Sequence, residues 1–302
     1  MAKFIMVGPL QAIGFILLFA ILSVFLPLMS LLSNAAIGLI TLRMGWQRGL
    51  MIATVSSAVL AGLSLITQAD PLMGFVLSMM VWLPVIALAA VLGNTVSWSR
   101  TLSVLLGIAV VGILLFHLNV GDPVKFWQAQ PAWQEFVVLA DTMKVFPADL
   151  PAEDKQQILD SIPTLLAGGI AAIASILLIL SLLLARHWQA MLYNPGGFSE
   201  EWRQLNVGKI PALLMVGVIG LAIMGKQPTA IDVVFAGLAI FVFQGLALMH
   251  SVVGSLQQHK GWLVGMYVLL FLMPVQVGIL LAAFGIIDGL ADFRSQIKAR
   301  KS

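Results

Sequence analysis

The sequence predicts an all-α fold, a polytopic transmembrane helical bundle of about 8 to 10 membrane segments. Two observations support this class. Hydrophobic residues make up 60% of the 302 positions and charged residues 10%, whereas soluble domains have about 45–50% apolar and about 25% charged residues. Apolar stretches of about 20 residues, the length that crosses a hydrocarbon core, recur along the chain. Residues 1–302 are therefore interpreted as a single integral membrane domain.

Six stretches are clear candidates for membrane helices. They are residues 49–67, 72–92, 101–118, 164–185, 210–224 and 230–253. Two longer stretches, residues 10–42 and 262–290, are each divided near the middle by a proline, Pro27 and Pro274. Because proline removes a backbone donor and clashes with the preceding turn, each is either one long kinked helix or a hairpin of two short helices.

The distribution of charge predicts the orientation of the chain. Loops rich in Lys and Arg stay in the cytoplasm, and alternation through the six stretches places four basic loops on one face. That face carries Arg43, Arg48, Arg100, Arg186, Arg203, Lys209 and Lys260. We expect residues 119–161 to form an acidic external loop, 186–209 a cytoplasmic loop and 291–302 a basic cytoplasmic tail. Such a tail is unfavourable to translocate, which favours the hairpin interpretation of both divided stretches.

The long loop at residues 119–161 contains seven acidic residues and three lysines, the sign of charge expected outside. It also carries aromatic residues that suit the headgroup level of a membrane. They are Phe126, Trp127, Trp133 and Phe136. Pro151 followed by Glu153 and Asp154 is typical of a helix start, since acids in the first turn favour the helix dipole. The loop is interpreted either as a lid over an external entrance or as an interfacial hairpin.

The loop at residues 186–209 combines a turn signal at 194–197 with a short amphipathic segment that Ser199 is expected to cap. Its charged and aromatic side chains make it a candidate cytoplasmic docking surface for a membrane protein partner, or a simple interfacial turn. The candidate docking residues are Arg186, Trp188, Glu201, Trp202 and Arg203.

Polar residues at membrane depth are the default pointers to a ligand path, because an unsatisfied polar group in hydrocarbon is costly. Asn34, Gln244 and Gln276 are uncharged and lie well inside their segments. They are candidates for lining a solute cavity, or for interhelical hydrogen bonds. A second set of charged residues near segment ends is assigned a structural role. It consists of Asp232, close in sequence to Lys226, together with Asp288 and Arg294.

Small residues recur at helical spacing in two stretches, including Ala53, Ser57 and Ala61 in one and residues 167–175 in the other. Smooth faces of this kind let helix backbones approach closely in lipid. They favour a compact bundle, with a docking surface as the alternative.

Catalytic chemistry has little support in the sequence. The absence of cysteine excludes disulfides, thiolate metal sites and cysteine nucleophiles. The four histidines are expected to be boundary residues near helix ends rather than ligands, and no catalytic or metal motif occurs. We therefore expect no enzyme activity, no cofactor and no metal. Basic residues form no stripe, so no nucleic acid is expected as a partner.

Two resemblances bear on function. The Arg-x-Trp-Gln turn with its Asn-Pro-Gly-Gly-Phe, the following Glu-Trp-Arg-Gln-Leu and the closing Gly-Ile-Ile-Asp-Gly-Leu-Ala-Asp-Phe-Arg resemble the YybS-like family of predicted bacterial membrane proteins. That resemblance implies a multi-pass protein of the bacterial inner membrane without an assigned activity. Residues 10–118, with Leu-Arg-Met-Gly-Trp-Gln-Arg-Gly at 42–49, are more distantly similar to the S components of energy-coupling-factor transporters. Those proteins bind small molecules for uptake.

Two functional hypotheses follow. The first is a transport-related protein, embedded in the lipid bilayer, that binds a small and largely uncharged solute in the manner of an S component. The second is a non-transporting membrane scaffold that recruits protein partners. A cavity at the neutral polar residues is expected under the first hypothesis, and a solid bundle under the second.

Overall fold

The computed structural model describes residues 1–147, 149–225, 227–291 and 293. All regular structure in these residues is helical, with no strand, which confirms the predicted all-α class. The helices are α1 Ala2–Ile5, α2 Pro9–Leu22, α3 Ser30–Met44, α4 Trp46–Ser64, α5 Pro71–Thr95, α6 Trp98–Val120, α7 Pro123–Gln128, α8 Pro131–Thr142, α9 Ala152–Ser161, α10 Pro163–Tyr193, α11 Gly197–Arg203, α12 Lys209–Gly225, α13 Pro228–Ser255, α14 Gly261–Leu272 and α15 Pro274–Ala291. A 3₁₀ turn, Pro27–Met29, precedes α3.

Six helical segments in the described part of the chain are long and apolar enough to cross a membrane. They are Pro27–Met44, Pro71–Thr95, Trp98–Val120, Pro163–Tyr193, Pro228–Ser255 and Pro274–Ala291. Three further apolar helices are shorter, namely α2, α12 and α14. Two of the six clear sequence candidates are absent from this set, because α4 is less apolar and α12 has only 17 residues. The chain is thus a helical membrane protein, and the finer count of 8 to 10 segments stays a prediction.

Local sequence signals explain where the helices begin. Proline occupies the first turn of α2, α5, α7, α8, α10 and α13, where its missing N–H has no intrahelical partner to lose. The carboxylate of Asp70 caps α5 by accepting from Leu72 N at 2.9 Å, and Ser97 Oγ caps α6 by accepting from Arg100 N at 3.3 Å. The start of α9 after Pro151, with Glu153 and Asp154 in the first turn, is confirmed.

The first proline-divided stretch is a hairpin of two helices. α2 packs against α3, and Pro9 and Met44, at the far ends of the two helices, line one cavity of about 350 Å³. One continuous helix over this range would hold those ends about 50 Å apart. Pro27 begins the turn that reverses the chain.

The second divided stretch also folds back on itself. Met273 leaves the helical conformation, with φ −135° and ψ 63°, immediately before Pro274 starts α15. Trp262 of α14 and Phe284 of α15 line the same cavity, although a straight helix would separate them by about 33 Å. The predicted basic tail lies almost entirely outside the described residues.

Two central helices and a shared third one organise the bundle. Every residue of α3 from Ser33 to Leu42 is buried, and α13 is buried along most of its length. α10 packs against both, so it joins a half built from α2–α5 to a half built from α6 and α12–α15. Gln189 near the end of α10 donates to the Leu42 carbonyl at 3.2 Å, which fixes α3 and α10 at the same level.

The two ends of the bundle carry different charges. α6 ends and α10 and α13 begin at one end, called here the loop-side end, where the acidic segment with α7–α9 lies. The opposite end holds Arg43, stacked 4.2 Å from the Tyr193 ring centre, and Arg186, paired with Glu201. Arg43 and Arg186 therefore lie at the end opposite the acidic segment, and which end faces the cytoplasm stays a prediction.

Candidate functional site

An apolar cavity of about 500 Å³ lies between α5, α6 and α10 towards the loop-side end. This space is called cavity I. α6 contributes Ile108, Gly112 and Phe116 to its wall, and α10 contributes Ala171 and Ser175. None of its lining side chains is charged. The Ser175 hydroxyl already donates to the Ala171 carbonyl at 2.7 Å, so it presents no free donor to the cavity. The arrangement suits an uncharged, largely hydrocarbon ligand.

Small residues create this space. Ala167, Ala171 and Ala174 belong to the smooth face predicted at 167–175, and all three line cavity I. On α6, no atom of a neighbouring element lies within 4 Å of the position that a Gly112 Cβ would take. The predicted packing face of α10 is therefore divided, since Gly168 is buried against Asp232 of α13 while the three alanines and Ser175 line the cavity. The other predicted small face, on α4, is packed, with Ala53 and Ser57 fully buried.

Two aromatic residues of α7, Phe126 and Trp127, are called the aromatic lid, because Trp127 lines cavity I and Phe126 packs against it. The Trp127 ring stacks on Phe116 with centroids 5.8 Å apart, and Phe126 meets Phe116 edge-on at 5.5 Å. The Asp122 carboxylate starts α7 by accepting from Val124 N at 3.1 Å and Lys125 N at 3.3 Å. The hydrogen bond from the Lys125 backbone lowers the pKa of Asp122 below its ordinary value.

A second cavity, of about 440 Å³, adjoins the first under α8. This space is called cavity II, and Trp133 and Phe136 form part of its wall. Trp127 and Ile170 line both cavities, so the Trp127 indole separates them. Its Nε1 atom is buried and has no hydrogen-bond partner among the described residues. The indole N–H is a donor only, and its burial means that it does not open onto either cavity.

A buried histidine–aspartate pair joins three helices beside cavity I. His117 Nε2 of α6 lies 2.7 Å from Asp232 Oδ2 of α13, and Asp232 is 1% exposed. Asp232 Oδ1 accepts from the Gly168 backbone N–H of α10 at 2.7 Å. A Cβ on Gly168 would lie 2.6 Å from the Asp232 Cα, so glycine is required for this approach. His117 lies in the last turn of α6, near the helix end as expected, and it also partners the buried carboxylate.

The three candidate solute-cavity residues lie in separate places. Asn34 is buried in α3, and its Oδ1 atom accepts no hydrogen bond from any described residue. Gln276 is exposed on α15. Gln244 is fully buried, but in a polar network rather than at a cavity. None of the three lines either of the cavities described above.

The network around Gln244 holds an irregular segment, residues 204–208, inside the bundle. Gln244 Oε1 accepts from Val207 N at 3.0 Å, while Gln244 Nε2 donates to Asn206 Oδ1 at 3.3 Å and to Asp288 Oδ2 at 3.1 Å. Asn206 N in turn donates to Ser99 Oγ at 3.0 Å. These contacts join α6, α13 and α15 and satisfy backbone groups that no helix pairs.

The candidate docking residues are mostly engaged within the chain. Arg186 binds Glu201 through two hydrogen bonds of 2.9 and 2.6 Å. Trp188 and Trp202 are 7% and 9% exposed, and the guanidinium of Arg203 lies beside Gly254 of α13. These side chains stabilise the corner between α10 and α11. The observed helix boundaries at this corner differ from the prediction in two details. α10 continues to Tyr193, and Gly196 at φ +94°, rather than Ser199, precedes α11.

The structural polar residues Asp232 and Asp288 are both buried and hydrogen-bonded, as their assigned role requires. Arg294, and the Lys226 expected beside Asp232, lie outside the described residues. Sequence reasoning missed His117 as the partner of Asp232 and missed Asn206. The first could have been found, because the predicted alternation places the end of residues 101–118 and the start of 230–253 on the same side of the membrane. Nothing in the sequence signals the depth of Asn206.

Compared with known proteins, the chain matches no family model, no curated protein and no solved structure.

Proposed function

We propose that this membrane protein binds a small, largely uncharged solute in cavity I and takes part in its transport. The observation that carries the proposal is an apolar cavity of about 500 Å³ whose lining side chains include no charge. Its volume falls within the range of small-molecule sites, about 300–1,000 Å³. The resemblance of residues 10–118 to solute-binding S components agrees with this role.

The aromatic lid supplies a means of access control under this proposal. Cavities I and II share Trp127 and Ile170 in their walls, an arrangement that suits a ligand that passes the lid on entry or release. We place the acidic segment outside and the Arg43–Arg186 end in the cytoplasm of a bacterial inner membrane, in keeping with the positive-inside rule. The solute would then be taken from the external side.

Filling cavity I tests the proposal. Gly112→Leu projects a side chain into the cavity, and Gly107→Leu is a matched control, because Gly107 lies on the same helix, has open space at its Cβ position and does not line the cavity. Purified proteins would be screened by mass spectrometry for a co-purifying small molecule. We expect a molecule that is retained by the wild type and Gly107→Leu and lost from Gly112→Leu. Equal retention by both variants, or none by the wild type across solubilisation conditions, would contradict it.

The scaffold hypothesis is the second candidate. Its predicted docking side chains are turned into the corner between α10 and α11, where Arg186 pairs with Glu201 and Trp202 packs edge-on against Trp98 with ring centroids 6.0 Å apart. Side chains already satisfied in this way offer less to a partner than exposed ones. Crosslinking in native membranes that yields a stoichiometric partner through this corner would favour the scaffold over the transporter.

A further inference from the structure

We infer that the cavity between α1, α2, α3 and α4 binds an anionic phospholipid, whose phosphate pairs with Arg48 and whose acyl chain enters the cavity. This space of about 350 Å³ is called cavity III. It lies where α3 ends and α4 begins, at the Arg43–Arg186 end of the bundle. The inference adds a second binding site to the molecule and does not rest on the proposed function of cavity I.

Cavity III has a buried apolar floor and an exposed apolar rim. Ile5, Ile40 and Ile52 line the cavity and are buried. Met44 and Met51 also line it, and they are 57% and 42% exposed. Because apolar surface left exposed on a membrane helix contacts lipid, the cavity opens to the bilayer and can admit a hydrocarbon chain.

One charged side chain, that of Arg48, lines this cavity. It is exposed in the first turn of α4, and among the residues that the structure describes it forms no ion pair. Met51 and Ile52 follow Arg48 at spacings of three and four residues, so they lie on the same face of the helix. A molecule whose anion is held by the guanidinium therefore continues directly onto the apolar wall.

The neighbouring part of the chain is poor in counter-ions. Residues 1–121 contain four basic residues and one acidic residue, Asp70. Asp70 caps the start of α5, beyond the far end of α4, a helix about 28 Å long. Lys3 precedes the lining residue Ile5 by two positions and adds further positive charge. Charge complementarity therefore selects an anion beside Arg48.

The cavity lies at the level where phospholipid head groups are found. Trp46 begins α4 and is 51% exposed, and Arg43 stacks on Tyr193 at the end of α3. Aromatic and basic residues together mark the membrane–water interface. Guanidinium groups bind phosphate at two points, and basic pockets between membrane helices bind anionic lipid head groups. Phosphatidylcholine would place its choline cation beside these positive charges, so the occupant is anionic rather than zwitterionic.

The head-group contact is tested by lipid titration of the purified protein. Native mass spectrometry would give the dissociation constant of the first bound lipid, with dioleoyl phosphatidylglycerol and dioleoyl phosphatidylcholine as the two probes. The variants are Arg48→Gln, Arg48→Lys and Arg100→Gln. Arg100 is the matched control, because it is also exposed, is also the third residue of its helix and does not line cavity III.

We expect the wild type to bind phosphatidylglycerol about fivefold more tightly than phosphatidylcholine, the effect of one basic side chain near a membrane surface. Arg48→Gln should remove that preference, whereas Arg48→Lys and Arg100→Gln should keep it. An undiminished preference in Arg48→Gln, or an equal loss in Arg100→Gln, would overturn the site. Displacement of phosphatidylglycerol by an excess of inorganic phosphate would overturn the assignment to a lipid.

A second pair of variants tests the entry of the acyl chain. Met51→Trp places a larger side chain at the rim of cavity III. Val55→Trp is its control, because Val55 lies one turn further along α4, is also 42% exposed and does not line the cavity. We expect Met51→Trp to bind both lipids about fourfold more weakly than Val55→Trp does, the loss of about one buried methylene. Equal affinities of the two variants would show that the chain stays outside the cavity and would overturn that part of the inference.

Discussion

Two sites in this bundle, cavity I and the crossing of α13 with α15, use glycine in opposite ways. At the loop-side end, Gly112 faces open space and helps to form cavity I. Near the Gln244 network, a Cβ on Gly245 would overlap the Leu281 carbonyl, and one on Gly285 would overlap the Phe241 carbonyl, so α13 and α15 touch backbone to backbone. Small residues in a membrane helix therefore indicate either close packing or a cavity. Only the identity of the opposing surface decides between them.

The polar groups at the two regions differ in the same manner. The Gln244 network ties together several elements around an irregular segment, and its contacts leave no cavity at Gln244. The His117–Asp232 pair instead lies beside cavity I. His117 directly follows the cavity-lining Phe116, and Gly168, which donates to Asp232, directly follows the cavity-lining Ala167. The Gln244 network holds its elements in close contact, whereas the His117–Asp232 pair holds α6, α10 and α13 together beside cavity I.

Substitution at the close crossing should have the largest effect. Gly245→Ala places a methyl group against the Leu281 backbone, which has no flexible side chain to yield. We expect it to lower the free energy of unfolding by more than about 3 kcal/mol, measured by denaturant titration of the purified protein in detergent. Gly112→Ala should change it by less than about 1 kcal/mol and is the matched control. Equal effects of the two would refute the contrast between the two sites.

Breaking the histidine–aspartate pair should have the second-largest effect on the free energy of unfolding. His117→Ala leaves the Asp232 carboxylate buried with only the Gly168 N–H as a partner. Removing one member of a buried pair costs about 3 kcal/mol or more, and we expect a loss near that value in the same unfolding assay. The double variant His117→Ala/Asp232→Ala should lose less than the sum of the single variants. Additive losses would mean that the two side chains do not interact.

The Arg186–Glu201 ion pair between α10 and α11 should contribute less to the free energy of unfolding. Arg186 and Glu201 are 13% and 18% exposed, so Glu201→Gln should cost about 1 kcal/mol, between the values for exposed and fully buried pairs. The charge-reversed pair Arg186→Glu/Glu201→Arg should recover part of that loss. A reversed pair that is less stable than either single reversal would show that packing at this corner, rather than charge, matters.

The smallest effect concerns the aromatic lid and depends on pH. Asp122 has a pKa below 3.8 in the folded protein, so its capping of α7 is fully present above that pH and is lost as the pH falls through the lower folded pKa. We expect Trp127 fluorescence, taken as the difference between wild type and Trp127→Phe, to change only below pH 3.8. In Asp122→Asn, which caps without titrating, that change should be absent. A transition at higher pH would assign control of the lid to another group.

Much of the architecture could be predicted from composition and local signals. All six apolar candidates are helical, the Pro27 stretch is a hairpin, and Arg43 and Arg186 share the end opposite the acidic segment. These features depend on hydrophobicity, proline geometry and charge, each of which acts over a few residues. The candidate site was less predictable. Of the three proposed cavity residues, Gln244 serves a network, Gln276 is exposed and Asn34 lies in a different part of the bundle.

The sequence by itself determined the all-α class, the apolar helices of membrane-spanning length and the position of Arg43 and Arg186 opposite the acidic segment, because a bilayer acts directly on apolar length and on charge. Only the tertiary structure decided which small residues line a cavity and which allow two helices to pack closely. It also decided that His117 pairs with Asp232. Those outcomes depend on the surface that each helix face meets across the bundle. The residues involved, such as His117, Gly168 and Asp232, lie on helices that are far apart in sequence, so no local pattern records the contact.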